Sequence, residues 1–345
     1  MRFCMKTIRV EDAVGSVLCQ DITRIIPGES KGPVFRKGHV VTAEDIPVLL
    51  AVGKEHLYVY EAQPGMVHEN DAAWRLVKAT GGANLEFTEP KEGRINYKAA
   101  CNGLLRIDVE LLAQVNAVRD ISLATLHTNE RVCKGQGVAG TRVIPLVVDE
   151  AQLLEVERLC TKPVVEVLPF ASPKVGIVTT GSEVYKGRIK DAFGPVLRRK
   201  FDSLECPVEG QTITSDDPEM TASAIRAWIE KGCGLVCVTG GMSVDPDDQT
   251  PTAIRMAGAE IVSYGAPVFP GAMFLLGYIK APQGEVPVLG LPGCVMYSNA
   301  SIFDLVVPRL LAGERLGVRD ISVLGHGGFC RGCETCHYPT CGFGK

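Results

Sequence analysis

Two short apolar runs constrain this chain more than any other feature. Lys174-Val-Gly-Ile-Val-Thr-Thr-Gly-Ser-Glu183 and Gly234-Leu-Val-Cys-Val-Thr-Gly-Gly241 are nearly continuous in apolar or β-branched residues, and each ends in glycine. A strand with one wet face must alternate, whereas a strand of a parallel sheet covered by helices on both faces need not. Helix signals surround both runs. A helical stretch is expected from Pro195 to Leu204, and Asp216-Asp217-Pro218-Glu219 starts another that runs through Ile225, Trp228 and Ile229 to Gly232. The acids suit the first turn of that helix and proline suits its first position. Thr250 to Met256, Ile261 to Tyr264 and Val286 to Leu291 continue the succession of helix and strand patterns. The expectation is a three-layer α/β domain over residues 171–313, with its site at the carboxyl ends of the strands.

The rest of the chain divides into three further segments. Residues 1–61 read as a small β-rich unit, with apolar runs at Val10 to Val14, Val17 to Ile22 and Val40-Val41 separated by Pro27-Gly28 and Gly32-Pro33. Within it Thr42-Ala-Glu-Asp45 opens a helix bearing Ile46, Leu49 and Leu50, Gly53 ends it, and His56 to Glu61 reads as a strand. Residues 62–170 form a mixed α+β region with helical patterns from Asn70 to Thr80 and from Ile107 to Val118, and no catalytic motif. Residues 314–345 are a Cys-rich tail.

Composition narrows the partners. A net charge of −4 with no basic block argues against nucleic acid or an anionic membrane, which leaves small molecules. The N-terminus shows no apolar signal region and no run of eighteen apolar residues occurs, so a cytoplasmic protein is expected. In that reducing compartment the 13 cysteines read as small buried hydrophobes plus one metal or redox cluster.

Glycine-rich loops at the expected strand ends carry the chemistry. Gly181, Gly240-Gly241, Pro270-Gly271 and Pro292-Gly293 let backbone N–H groups approach a ligand closely, as phosphate binding requires. Asp191, Asp216, Asp217, Asp245, Asp247 and Asp248 offer the hard oxygen ligands that Mg²⁺ takes beside a phosphate. Taken singly, each glycine pair is also an ordinary turn, and Asp216 and Asp217 are also helix caps. Cys294 offers a thiol to the same edge, against the plainer reading of a small buried cysteine.

The tail carries a separate signal, Cys330-x2-Cys333-x2-Cys336-x4-Cys341. Three thiols within one tight turn of chain, with a fourth able to fold back, are what a [4Fe-4S] cluster needs. Zn²⁺ suits four thiolates equally, with His337 as a substitute ligand, and an unliganded tail or a disulfide pair is the third reading.

Residues 174–312 resemble the molybdopterin-binding domain shared by molybdopterin molybdotransferases, molybdopterin adenylyltransferases and the competence-damage-inducible pyrophosphatase-like proteins. The resemblance rests on Thr180-Gly-Ser-Glu183, Gly187-Arg-Ile-Lys-Asp191, Ser215-Asp-Asp-Pro218, Thr239-Gly-Gly-Met-Ser-Val244 with Asp248-Gln-Thr250, Pro270-Gly271 and Gly290-Leu-Pro-Gly293, all in the family's order. It covers about 140 of the 345 residues, and pieces of the N-terminal segment resemble the molybdotransferase's non-catalytic domains. The resemblance implies a homodimer in molybdenum cofactor biosynthesis that binds adenylylated molybdopterin and inserts molybdate with release of AMP. It implies that Thr180, Gly181, Ser182, Asp217, Gly240, Gly241, Met242, Ser243, Pro270, Gly271, Pro292 and Gly293 hold the pterin and its phosphate. Glu183, Asp191 and Asp248 would be catalytic, with Asp248 serving Mg²⁺ or cleavage of the phosphoanhydride.

Several positions depart from the family's pattern. Asp-Thr/Ser-Asn appears as Asp191-Ala192-Phe193, the lysines around Pro-Gly-Lys-Pro give way to Phe269-Pro-Gly-Ala272-Met273, Gly-Leu-Pro-Gly-Asn-Pro becomes Gly290-Leu-Pro-Gly-Cys294-Val295, and Asp245 replaces a glycine. Two other functions stay open: a non-catalytic molybdopterin carrier whose tail senses redox or metal state for a molybdoenzyme or another cofactor-biosynthesis protein, and a nucleotide pyrophosphatase of the related branch.

Overall fold

The computed structural model describes residues 6–26, 30–59 and 65–345. Grouped by proximity, the chain forms two units: residues 1–98, 108–125 and 137–165, and residues 99–107, 126–136 and 166–345.

The first unit begins with two antiparallel strand pairs, Lys6–Arg9 with His56–Val59 and Ile22–Ile26 with Ser30–Phe35. Val10, Leu18, Ile22, Val41, Leu49 and Leu57 form the core beside them. The apolar run that starts at Val10 is a 3-10 turn over Val10–Asp12 rather than a strand. The Ala13 N–H closes it on the Val10 carbonyl at 3.1 Å, and Gly15 then turns the chain at φ +85°. The Pro27-Gly28 break and the end of the strand expected to reach Glu61 lie outside the described residues. Further along, a four-stranded sheet (Leu85–Phe87, Arg94–Ala99, Gly137–Val143, Ile121–Thr125) accompanies the helices Glu69–Thr80, Val109–Ala117 and Glu150–Leu159. The second helix is shorter than its apolar pattern, because Asp108 caps it by accepting from the Leu111 N–H at 3.0 Å. Ile107 then belongs to a preceding strand, Gly103–Ile107.

The second unit is built on a six-stranded sheet. Its strands are β1 (Val175–Thr180), β2 (Val208–Thr214), β3 (Leu235–Thr239), β4 (Glu260–Tyr264), β5 (Leu275–Ala281) and β6 (Gly284–Leu291). The spatial order is β2-β1-β3-β6-β5-β4, with β2, β1, β3 and β6 mutually parallel and β5 antiparallel to both its neighbours. Helices α1 (Phe193–Asp202), α2 (Pro218–Glu230), α3 (Thr250–Met256) and α4 (Ile302–Leu311) complete it.

Residue parity along the central strands makes the three layers. Val175 and Ile177 of β1, Leu235 and Cys237 of β3, and Leu289 and Leu291 of β6 share one core with Leu197 and Phe201 of α1 and Phe303, Val306 and Val307 of α4. Val178, Val236, Val238 and Val288 share the opposite core with Ile225, Trp228 and Ile229 of α2 and Ile254 of α3. All residues of β1 and β3 are buried, which is why neither run alternates. On the α2 side, Trp228 covers β1 and β2 at two glycines. A Cβ at Gly176 or at Gly210 would lie 2.5 Å from its ring.

The tail of this unit folds back on the body. Phe329 forms a parallel bridge with Phe269, the Tyr338 hydroxyl donates to the Asp304 carbonyl of α4 at 2.9 Å, and Phe343 is buried in the α1/α4 core. Among the described residues, no helix is long and apolar enough to cross a membrane.

Candidate functional site

In an open sheet the chain leaves a crevice at the carboxyl edge where successive connections run to opposite sides. Here β1 connects outward to β2, while β3 and β6 lie on its other side, so the exits of β1, β3 and β6 stand next to one another. These exits are Gly181, Gly240-Gly241 and Pro292-Gly293.

Two of the glycines are required by the local packing. Gly240 has φ +85°, and a Cβ there would sit 2.2 Å from the Thr180 carbonyl oxygen. Gly241 has φ +52°, with the Thr250 hydroxyl 3.0 Å from its would-be Cβ. Thr250 locks this turn, its Oγ1 donating to the Gly240 carbonyl at 2.8 Å and its N–H to the Gly241 carbonyl at 3.1 Å. Among the described residues, none accepts from the N–H groups of Gly241, Met242, Ser243 or Gly293. These donors are left for an anion or for water.

The turn opens on a cavity of about 500 Å³. Its wall consists of Gly240 to Ser243 and Asp248 on one side, Phe269 to Met273 on another, and Pro292 to Cys294 with Phe193 completing it. Among the described residues, Asp248 is its one carboxylate, and no lysine, arginine or histidine lines it. A short turn holds that carboxylate, since the Asp248 N–H donates to the Asp245 carbonyl at 2.9 Å and Asp248 Oδ2 accepts from the Asp245 N–H at 3.2 Å. Burial pushes the Cys294 thiol up from its ordinary range, so at neutral pH it faces the cavity as a thiol.

Of the residues singled out from sequence, Gly240, Gly241, Met242, Ser243, Asp248, Pro270, Gly271, Pro292 and Gly293 therefore line one cavity. Thr180, Gly181, Ser182, Glu183, Asp191 and Asp217 do not line it. Thr180 is buried beneath the turn, its Oγ1 3.4 Å from that of Thr250. The Ser182 N–H donates to Asp216 Oδ2 at 2.9 Å, and Glu183 folds back beside Gly181. Asp217 caps α2, accepting from the N–H groups of Glu219 (2.9 Å) and Met220 (3.2 Å). The Asp191 carboxylate takes the N–H groups of Phe193 and Gly194, both at 3.0 Å, and Gln211 Nε2 at 2.8 Å. With those bonds Asp191 starts α1, and Phe193, whose place in the family's pattern belongs to a polar residue, becomes part of the cavity wall. No local signal in the sequence marks Phe193 as a lining residue.

A second cavity, about 620 Å³, is lined by Cys330, Cys333, Cys336 and Cys341 together with His337 and Tyr338. Pro270 lines this cavity and the first. All four cysteines are free, and among the described residues no three His, Cys, Asp or Glu side chains stand close enough together to hold a single metal ion.

Comparison with known proteins places part of the chain. Residues 176–312 match the family described as "Probable molybdopterin binding domain". This stretch belongs to that family. It is a domain of molybdenum cofactor biosynthesis, carried on the α/β sheet described above. Residues 7–61 match a domain of unknown function (DUF8806). The chain is similar to a molybdopterin molybdenumtransferase of Synechococcus elongatus, 27% identical over 146 residues, 40% of this chain and 36% of that protein. It is also similar to a CinA-like protein of Mycobacterium avium, 34% identical over 92 residues, 26% of this chain and 21% of that protein. It thus spans about a third or less of the length of these relatives. Among solved structures, the tungsten cofactor synthesizing protein MoaB of Pyrococcus furiosus aligns at 22% identity and a TM-score of 0.34, over 40% of this chain and 91% of that one.

Proposed function

We propose that the cavity at the carboxyl edge binds molybdopterin in its adenylylated form, and that the protein inserts molybdate into the dithiolene with release of AMP. The observation that carries this reading is the single cavity built from Gly240 to Ser243, Asp248, Pro270-Gly271 and Pro292-Gly293. Its free N–H groups at Gly241, Met242, Ser243 and Gly293 suit the phosphate of the pterin, because fixed backbone donors hold an anion without a cationic side chain. Phe193, Phe269 and Met273 supply the apolar surface on which a flat heterocycle packs.

The donor set also fits Mg²⁺, which binds through one or two carboxylates and otherwise through water and substrate phosphates. Asp248 is the carboxylate on this wall that would hold it, and the ion when bound neutralises charge on the phosphoryl oxygens of the phosphoanhydride. Asp248 itself orients the polar edge of the cavity, and the Asp245 N–H fixes its carboxylate there. Cys294, held as a thiol, contributes a small neutral surface rather than a nucleophile.

A second reading, a carrier that binds the pterin without turnover, draws on the absence, among the described residues, of any lysine or arginine on this wall to meet molybdate. Protein incubated with adenylylated molybdopterin, molybdate and Mg²⁺ separates the two. AMP release that falls by about 10²–10³ in Asp248→Asn, with pterin affinity kept, supports the enzyme. Pterin binding without AMP release from the unaltered chain supports the carrier.

A further inference from the structure

We infer that Cys330, Cys333, Cys336 and Cys341 hold a [4Fe-4S] cluster against the outer wall of the pterin cavity. Neither matched family assigns a function to these residues, which lie beyond residue 312.

The chain end returns to the start of the tail, where the Gly344 N–H donates to the Gly327 carbonyl at 2.9 Å and Lys345 pairs with the buried Glu130 carboxylate at 2.6 Å. That closure brings Cys341 back to the cavity that Cys330 opens, so four thiols separated by up to eleven positions line one space. The intervening chain needs something to hold it. Residues 331–337 form neither helix nor strand and are all exposed, yet Cys333 and Cys336 line the cavity from within that stretch. Ordering seven exposed residues costs roughly 1–2 kcal/mol of backbone entropy each, and no buried apolar side chain there offsets it. Bonds from metal to thiolate would.

Cysteine separation chooses the occupant. A single Zn²⁺ with bonds of about 2.3 Å draws its four sulfurs into contact with one another. The four cysteines here line one cavity of about 620 Å³, and among the described residues no three of them stand close enough together to hold a single ion. A cluster keeps its cysteines further apart, because four irons and four sulfides stand between them. Tyr297 (81% exposed) and Phe329 (75% exposed) line the same cavity, and a cluster there would cover these aromatic faces.

Location follows from the backbone. The Phe269 N–H donates to the Gly328 carbonyl and the Cys330 N–H to the Phe269 carbonyl, both at 2.8 Å. The first cluster ligand is therefore hydrogen-bonded to a residue of the pterin cavity, and Pro270 separates the two spaces. The cluster holds Phe269 and Pro270 in place from outside.

The test is metal analysis of the whole chain purified without oxygen from iron-replete cells, beside Cys333→Ser, Cys336→Ser and Cys133→Ser. All three altered residues are exposed, so none of the substitutions removes a packed side chain, and Cys133 is outside the tail cavity. The inference expects about four irons and four labile sulfides per chain, with a broad absorption shoulder near about 400 nm, in the unaltered chain and in Cys133→Ser. It expects at least a fivefold loss of iron and sulfide in the other two variants. About one zinc per chain without sulfide, no bound metal, or full iron retention in Cys333→Ser and Cys336→Ser would each overturn it. Because iron and sulfide are counted without any pterin, this outcome is independent of the proposed function.

Discussion

Gly240→Ala strikes the floor of the cavity at the carboxyl edge, and its cost can be worked out in two parts. An L-residue at φ +85° carries a left-handed strain of about 1–2 kcal/mol. The added methyl would also meet the Thr180 carbonyl at 2.2 Å, and relieving such a backbone contact costs a further ~1–3 kcal/mol. Gly258→Ala separates the parts, because φ is +98° there and a Cβ would meet nothing within 4 Å. The protein has two tryptophans, Trp74 in the first unit and Trp228 in the second. In a Trp74→Phe background, the fluorescence of buried Trp228 reports unfolding of the pterin-binding domain alone. With a urea slope near 2 kcal/mol per molar, Gly240→Ala should lower the midpoint by roughly 1–2.5 M, and Gly258→Ala by about 0.5–1 M. Molybdopterin affinity should fall at least tenfold in Gly240→Ala and stay unchanged in Gly258→Ala. Equal midpoint shifts in the two variants would refute the claim that closeness to Thr180 makes glycine necessary at this turn.

Further outcomes follow from burial and charge. Burial pushes the Cys206 thiol up to about 11, above the ordinary value of about 8.5 that it regains on unfolding. The native state keeps that proton across this window while the unfolded chain loses it, so the urea midpoint should fall as pH rises from about 9 to 11, and less steeply in Cys206→Ala. Lys345→Met strands the buried Glu130 carboxylate, and should destabilise the second unit by about 3 kcal/mol, with Glu130→Gln in the same chain recovering part of the loss. Iodoacetamide at pH 7 should modify exposed Cys333 and Cys336 of chelator-treated protein well before Cys294, read by peptide mass spectrometry, since Cys294 is part-buried and its thiol is held protonated.

The strands that carry the site were legible because burial on both faces leaves a direct mark: β1 and β3 take apolar, small or β-branched residues at every position. The start of α2 was legible for a local reason too, since Asp217 and Pro218 act within their own turn. β5 left a weaker mark. Leu275-Leu-Gly-Tyr-Ile-Lys-Ala281 continues the apolar Ala272-Met-Phe274 without a break, and what makes it a strand is its antiparallel pairing with β6 from Leu275↔Gly290 to Ala281↔Gly284. In the site, residue type showed which carboxylates were available but not how they are used. Asp191 and Asp248 look alike in sequence, yet the first is consumed by the N–H groups of α1 and by Gln211 while the second lines the cavity. The meeting of tail and cavity was beyond sequence reasoning, because it depends on Phe269 pairing with Phe329, 60 positions away.

A structure of the protein with molybdopterin bound tests the central claim most directly. The account predicts the pterin in the cavity between Phe193 and Pro270, its phosphate on the N–H groups of Gly241 to Ser243 and Gly293, and Asp248 facing the phosphate. Molybdopterin found elsewhere on the chain, or its phosphate held by side-chain cations away from Gly240-Gly241, would contradict it.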